Sequence, residues 1–119
     1  MSEEFVRVAT QEISQELDDI SLILQSCKGD DDVAKNSEKI EKHMHKIKGL
    51  APMMGKESVG DLAKVLDSVL KHIKSGKKIK GFFDPLTISV EQMKIAMKKN
   101  HDLTQIQKKV NEISLKMHD

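Results

Sequence analysis

The sequence predicts an all-α fold: an antiparallel up-and-down four-helix bundle with an additional C-terminal fifth helix, in a single domain over residues 1–119. Three observations carry this. Apolar residues recur at spacings of three and four almost end to end. The links between these stripes are short, which favours antiparallel neighbours. Two Pro and six Gly supply too little turn chemistry for a many-stranded β fold.

The first helix is expected over about residues 3–27, with Phe5, Ala9, Ile13, Leu17, Ile20 and Leu24 on one face. Ser2 is placed to cap it, with Glu3 and Glu4 in its first turn. Gly29 stands where a left-handed stop belongs, and Asp30, Asp31 and Asp32 offer caps for a second helix over 32–54. That helix carries Ile40, Met44, Ile47, Ala51 and Met54, and Gly55 closes it. The third, over 57–75, carries Val59, Leu62, Leu66, Val69 and Ile73. A lysine-rich connection follows, with Ile79, Phe82 and Phe83 as its anchors. Asp84-Pro85 then reads as a cap followed by Pro at the first helical position, opening a helix over 85–99 with Leu86, Val90, Met93 and Met97. Leu103, Ile106, Val110, Ile113 and Met117 form the last stripe, over 102–117. Most of the seven Met occupy stripe positions, where they fill core.

Charge is divided unevenly. Residues 1–41 hold four Lys/Arg and eleven Asp/Glu, a net of −7, and residues 42–80 hold ten Lys and three acids, a net of +7. Such a split fits an acidic helix packed beside a basic one, or a basic segment that draws in an anionic partner. One Arg and no aromatic interleaving argue against nucleic acid. No apolar run reaches membrane-spanning length and no signal peptide opens the chain, so a cytoplasmic protein without membrane contact, and a monomer, is the expectation. One Cys, Cys27, excludes an internal disulfide framework and is read as structural.

The chemistry concentrates in His43-Met44-His45-Lys46-Ile47-Lys48-Gly49. On a helix whose buried face centres on Ile40, Met44, Ile47 and Ala51, His45 points roughly 140° away, toward solvent. His43 lies about 60° off centre, at the core boundary. Gly49, one turn past His45, shields nothing and permits close approach; Lys48 shares the side of His45. His43 and His45 diverge by about 200° and cannot chelate one ion together. His72, His101 and His118 are scattered, so no metal site is expected. Pro52 lies inside the second helix and predicts a kink or early unwinding one turn past His45.

His45, Ile47, Lys48, Gly49, Ala51 and Gly55 fall in the register H-x-[IL]-K-G-x-[AS]-x-x-x-G. With Leu62, Leu66, Asp67 and Leu70 downstream, the chain resembles the histidine-containing phosphotransfer (HPt) domain along nearly its whole length. It is most similar to the N-terminal phosphoacceptor domain of CheA-type chemotaxis kinases. The resemblance implies two-component signalling in which His45 accepts a phosphoryl group through Nε2. Asp67, where CheA-type domains usually carry Glu, would orient the other ring nitrogen with a shorter reach. Lys48 would neutralise the phosphoryl group, and Lys64, where a second His is frequent, would hold phosphate or pair with Asp67. Gly49 and Lys46 would meet the partner. The implied partners are a histidine kinase ATP-binding domain and a response-regulator receiver domain. ATP and Mg²⁺ belong to those partners, so no cofactor is expected here. The other reading is a helical interaction module whose motif is degenerate and never phosphorylated.

Overall fold

The structure, a computed structural model, describes residues 2–117; His118 lies outside them. The described residues form six helices and no strand: α1 (Glu3–Gln25), α2 (Asp30–Lys35), α3 (Ser37–Met53), α4 (Glu57–Lys74), α5 (Phe83–Lys98) and α6 (Thr104–Met117). α3 packs between α1 and α4, α5 closes against α1 and α4, and α6 lies on α4 and α5. The expected stripes face one shared core, in which Ile13, Leu17, Ile20, Met44, Ile47, Leu62, Leu66 and Met93 are fully buried. Leu103, Ile106, Val110 and Met117 bring α6 onto the same core.

The single helix expected over 32–54 is two helices. Asn36 ends α2 and precedes α3 at φ −105°, ψ 8°. Its side-chain amide donates to Asp32 O at 2.8 Å, and Ser37 Oγ donates to Ala34 O at 2.8 Å. Short polar side chains that compete for helix carbonyls break a helix in this way. Val33, buried, is the one side chain that pins α2 to the core.

Gly29 is extended (φ 179°), not left-handed, and α1 ends at Gln25 with Ser26 Oγ bonded back to Ile23 O. The Ser2 cap forms: its Oγ accepts from Phe5 N at 3.0 Å. Asp30–Asp32 do not cap α2 through a side chain. Asp32 instead accepts from Lys28 N at 2.8 Å, and Asp30 reaches across the fold. Its carboxylate accepts from three successive amides, Gly81 N (2.7 Å), Phe82 N (3.0 Å) and Phe83 N (2.7 Å). α5 therefore starts at Phe83, two residues before the expected Pro85, because its first amides are capped from α2 and not by Asp84. Those three bonds hold the Asp30 carboxyl below the usual carboxylate range, against the upward push of burial.

Pro52 does not unwind α3 one turn past His45; the helix runs through it to Met53 and turns at Gly55 (φ 89°). The proline ring is set into α4. A Cβ on Gly60 would come within 2.6 Å of Pro52 Cγ and 2.8 Å of Cδ, so glycine leaves the notch that lets α3 and α4 meet there.

Candidate functional site

His45 stands on the outer flank of α3 with 57% of its side chain exposed. Its Nδ1 lies 3.2 Å from Oδ2 of Asp67 on α4, and Asp67 is 1% exposed. Ile47 and Leu66, neighbours of this pair on the two core faces, are fully buried and fix the α3–α4 register that brings the residues together. The aspartate is thus long enough to reach across.

The same Oδ2 receives Lys71 Nζ at 3.1 Å and Lys48 Nζ at 3.6 Å, while Oδ1 is buried with no donor. Burial pushes the Asp67 carboxyl up. The groups that face it, Glu41, His45 and Lys71, together with the Lys71 charge, outweigh that push and hold it below its ordinary value. Asp67 is therefore ionised at neutral pH and can only accept. His45 Nδ1 is therefore the donor of this bond, and in the neutral ring that tautomer puts the lone pair on Nε2.

Sequence reasoning missed Glu41. It is 5% exposed, lies 3.9 Å from His45 Nδ1, and is matched by Lys74 Nζ at 3.2 Å. The signal was available: Glu41 is followed three residues on by Met44, a core position, which places it on the edge of the buried face. Glu16 was missed as well. It flanks Ile13 and Ile20 on α1, is 5% exposed, and accepts from His43 Nδ1 at 2.6 Å. Lys46, 57% exposed at its side chain, reaches the other Glu16 oxygen at 3.7 Å.

Lys64 does not join these groups. No ion pair links it to Asp67 among the described residues, and it lines a groove between α4 and the start of α6 with Ser58, Asp61, His101 and Asp102. Gly49 is exposed, and a Cβ there would meet nothing within 4 Å, so the surface beside His45 is open. An exposed groove of about 540 Å³ runs along α3 over His43, His45, Lys42 and Lys46.

His43 and His45 each also lie near two carboxylates. Ligand atoms of Glu41, His45 and Asp67 fall within 4.8 Å of one another, as do those of Glu16, Asp19 and His43. Around the first group, Lys48, Lys71 and Lys74 already place three ammonium charges on the carboxylates. Those charges oppose a bound cation and favour an anion at the exposed edge of His45.

No helix is long and apolar enough to cross a membrane among the described residues. The family model described as Hpt domain matches residues 4–93, ending inside α5 and before α6. No curated protein and no solved structure matches the chain.

Proposed function

Since the chain belongs to the Hpt domain family, whose members carry phosphoryl groups in phosphorelay signalling, we propose that His45 is its phosphoacceptor. The observation that supports this is the pairing of an exposed imidazole with a buried, ionised Asp67 that also draws in Lys48.

The proton on Nδ1 is held by Asp67 Oδ2, so the Nε2 lone pair attacks phosphorus. An N–P bond forms as the donor's bond to phosphorus breaks, and the leaving group keeps the electron pair. The ring becomes cationic, and Asp67 stabilises that charge through the same hydrogen bond. Lys48 and Lys71 lie close enough to turn from Asp67 toward the phosphoryl oxygens as point charges. Reversal of these steps hands the group on, so the protein carries phosphate without an ATP site of its own.

The donor is a histidine kinase ATP-binding domain, and the recipient is an aspartate of a response-regulator receiver domain. Because the motif resembles the phosphoacceptor domain of CheA-type chemotaxis kinases, the ATP-binding domain of such a kinase is the donor to try first. From the segment of net +7, Lys42, Lys46, Lys48 and Lys71 lie around His45 and would speed encounter with the acidic pocket of a receiver.

The test is transfer from a CheA-type kinase with ATP, or from a receiver charged with labelled acetyl phosphate and then freed of the small donor, onto wild type and His45→Gln. Acid-labile, alkali-stable label on wild type alone is the expected result. Equal label on both proteins would move the acceptor elsewhere.

A further inference from the structure

We propose that His43 is a second phosphoryl-accepting histidine, built on the opposite flank of α3 from the same three parts as His45. The proposal rests on a repeat within the sequence and a repeat within the geometry. His43-x-x-Lys46 and His45-x-x-Lys48 are the same motif displaced by two residues. Two residues on a helix turn the second copy about 200° from the first, so the copies face different neighbours.

Each copy finds a buried carboxylate there. His45 Nδ1 meets Asp67 of α4 at 3.2 Å; His43 Nδ1 meets Glu16 of α1 at 2.6 Å. Asp67 is 1% exposed and Glu16 5%. In each copy the lysine three residues on reaches that same carboxylate, Lys48 at 3.6 Å and Lys46 at 3.7 Å. A core histidine satisfied by one acid needs no lysine at matching spacing, whereas a phosphoryl acceptor uses one.

The chemistry follows the first site. The Glu16 carboxylate holds the proton on Nδ1, which leaves the Nε2 lone pair to react. Nε2 forms the N–P bond, the donor's bond to phosphorus breaks with its electrons leaving on the donor oxygen, and Glu16 stabilises the cationic ring. Glu12 lies beside Glu16, and its own carboxyl is pushed up by hydrogen bonding to Glu16 and by the Glu16 charge. His43 is 24% exposed at its side chain against 57% for His45, and both line the groove along α3. His43 is therefore the slower site and takes small phosphoryl donors, of the phosphoramidate or acyl-phosphate class, more readily than a bulky protein donor.

The test uses phosphoramidate as donor on the full chain, with phosphorus NMR and intact mass as readouts. His43→Gln alone reports His45, and so tests the reading above separately. In His45→Gln, one phosphoramidate signal is expected, and it should be lost in His43→Gln/His45→Gln. Adding Glu16→Gln to His45→Gln should slow the labelling by about tenfold or more, the kinetic equivalent of one charged hydrogen bond. In His43→Gln the same Glu16→Gln change should leave labelling of His45 unaltered, which also shows that the variant is folded. Labelling of His45→Gln that matches the double variant would overturn the proposal. So would labelling at His43 that ignores Glu16, because any exposed imidazole would give that.

Discussion

His45 Nδ1 and Asp67 Oδ2, on facing flanks of α3 and α4, are 3.2 Å apart, with the imidazole exposed and the carboxylate buried. On the proposed function, this relationship leaves Nε2 as the nitrogen that reacts. Replacing Asp67 by Ala removes the hydrogen bond and the charge behind it. Phosphorylation of His45 should fall by about ten- to a hundredfold, the range set by one charged hydrogen bond. Stopped-flow loading by the kinase, with CD to confirm folding, measures it. An unchanged rate would show that the ring needs no orienting partner.

Gly49 gives a prediction in which stability and transfer move oppositely. A Cβ there meets nothing, so Gly49→Ala should stabilise α3 by about 1 kcal/mol through helix propensity. Tm should rise by a few degrees. Transfer to a receiver should slow, because the added methyl stands one turn from His45 on the approach side. Faster or equal transfer would remove Gly49 from the docking surface.

Gly60 should behave in the reverse manner. Its added Cβ would strike the rigid Pro52 ring at 2.6 Å. Overpacking of this kind costs about 1–3 kcal/mol, more than the roughly 1 kcal/mol that Ala gains in a helix. Gly60→Ala should therefore lower the urea midpoint. Pro52→Ala should restore it, with the two effects non-additive because the residues touch. A simple sum of the two single changes would show that the notch is not specific to the proline.

Asp30 sets an acid-sensitive tie. Its folded-state pKa lies below its unfolded value, so its stabilisation is complete above the ordinary aspartate pKa of about 3.9. It disappears as pH falls through the lower, folded value. Asp30→Asn should be less stable than wild type at pH 7, and the gap should close in acid. Urea titrations at several pH values give the gap directly; a gap that widens below pH 4 would reverse the sign.

Salt should act on the encounter and not on the chemistry. Between about 0.01 M and 1 M salt the screening length shrinks from ~30 Å to ~3 Å. Loading of a receiver should slow by about tenfold or more over that range, while the labelling rate with a small anion such as phosphoramidate, which has far less charge to steer, should change much less. A flat receiver rate would remove the role given to the basic segment.

The stripes of α1, α3, α4, α5 and α6 were legible because an apolar residue every third or fourth position needs no tertiary information. α2 was not, since Val33 is its one buried residue and Asn36 acts through side-chain bonds to carbonyls. The start of α5 was misplaced because its cap comes from Asp30, some fifty residues away in the chain. Within the site, the exposure of His45 and the boundary position of His43 followed from helix geometry. Helix spacing also puts Glu41 at the edge of the buried face, but it does not reveal how the burial of Glu41 and Glu16 is compensated, because the compensating groups lie on other helices: His43 and Lys46 for Glu16, Lys74 for Glu41. Lys64 turned toward α6, a neighbour whose position the local pattern did not reveal.

The lysines on Asp67 and Glu41 have a consequence for how a partner reads this domain. Lys48, Lys71 and Lys74 are partly exposed side chains anchored to two buried carboxylates on a rigid α3–α4 pair. A phosphoryl group on His45 would bring about −1.5 to −2 charges among them. The long side chains can swing to that new anion while the packed helices stay where they are. The loaded and empty forms would then differ in surface potential with almost no difference in backbone, and a partner would tell them apart by the sign of the field over one helix face. On that proposal, the message would be written in charge rather than in shape.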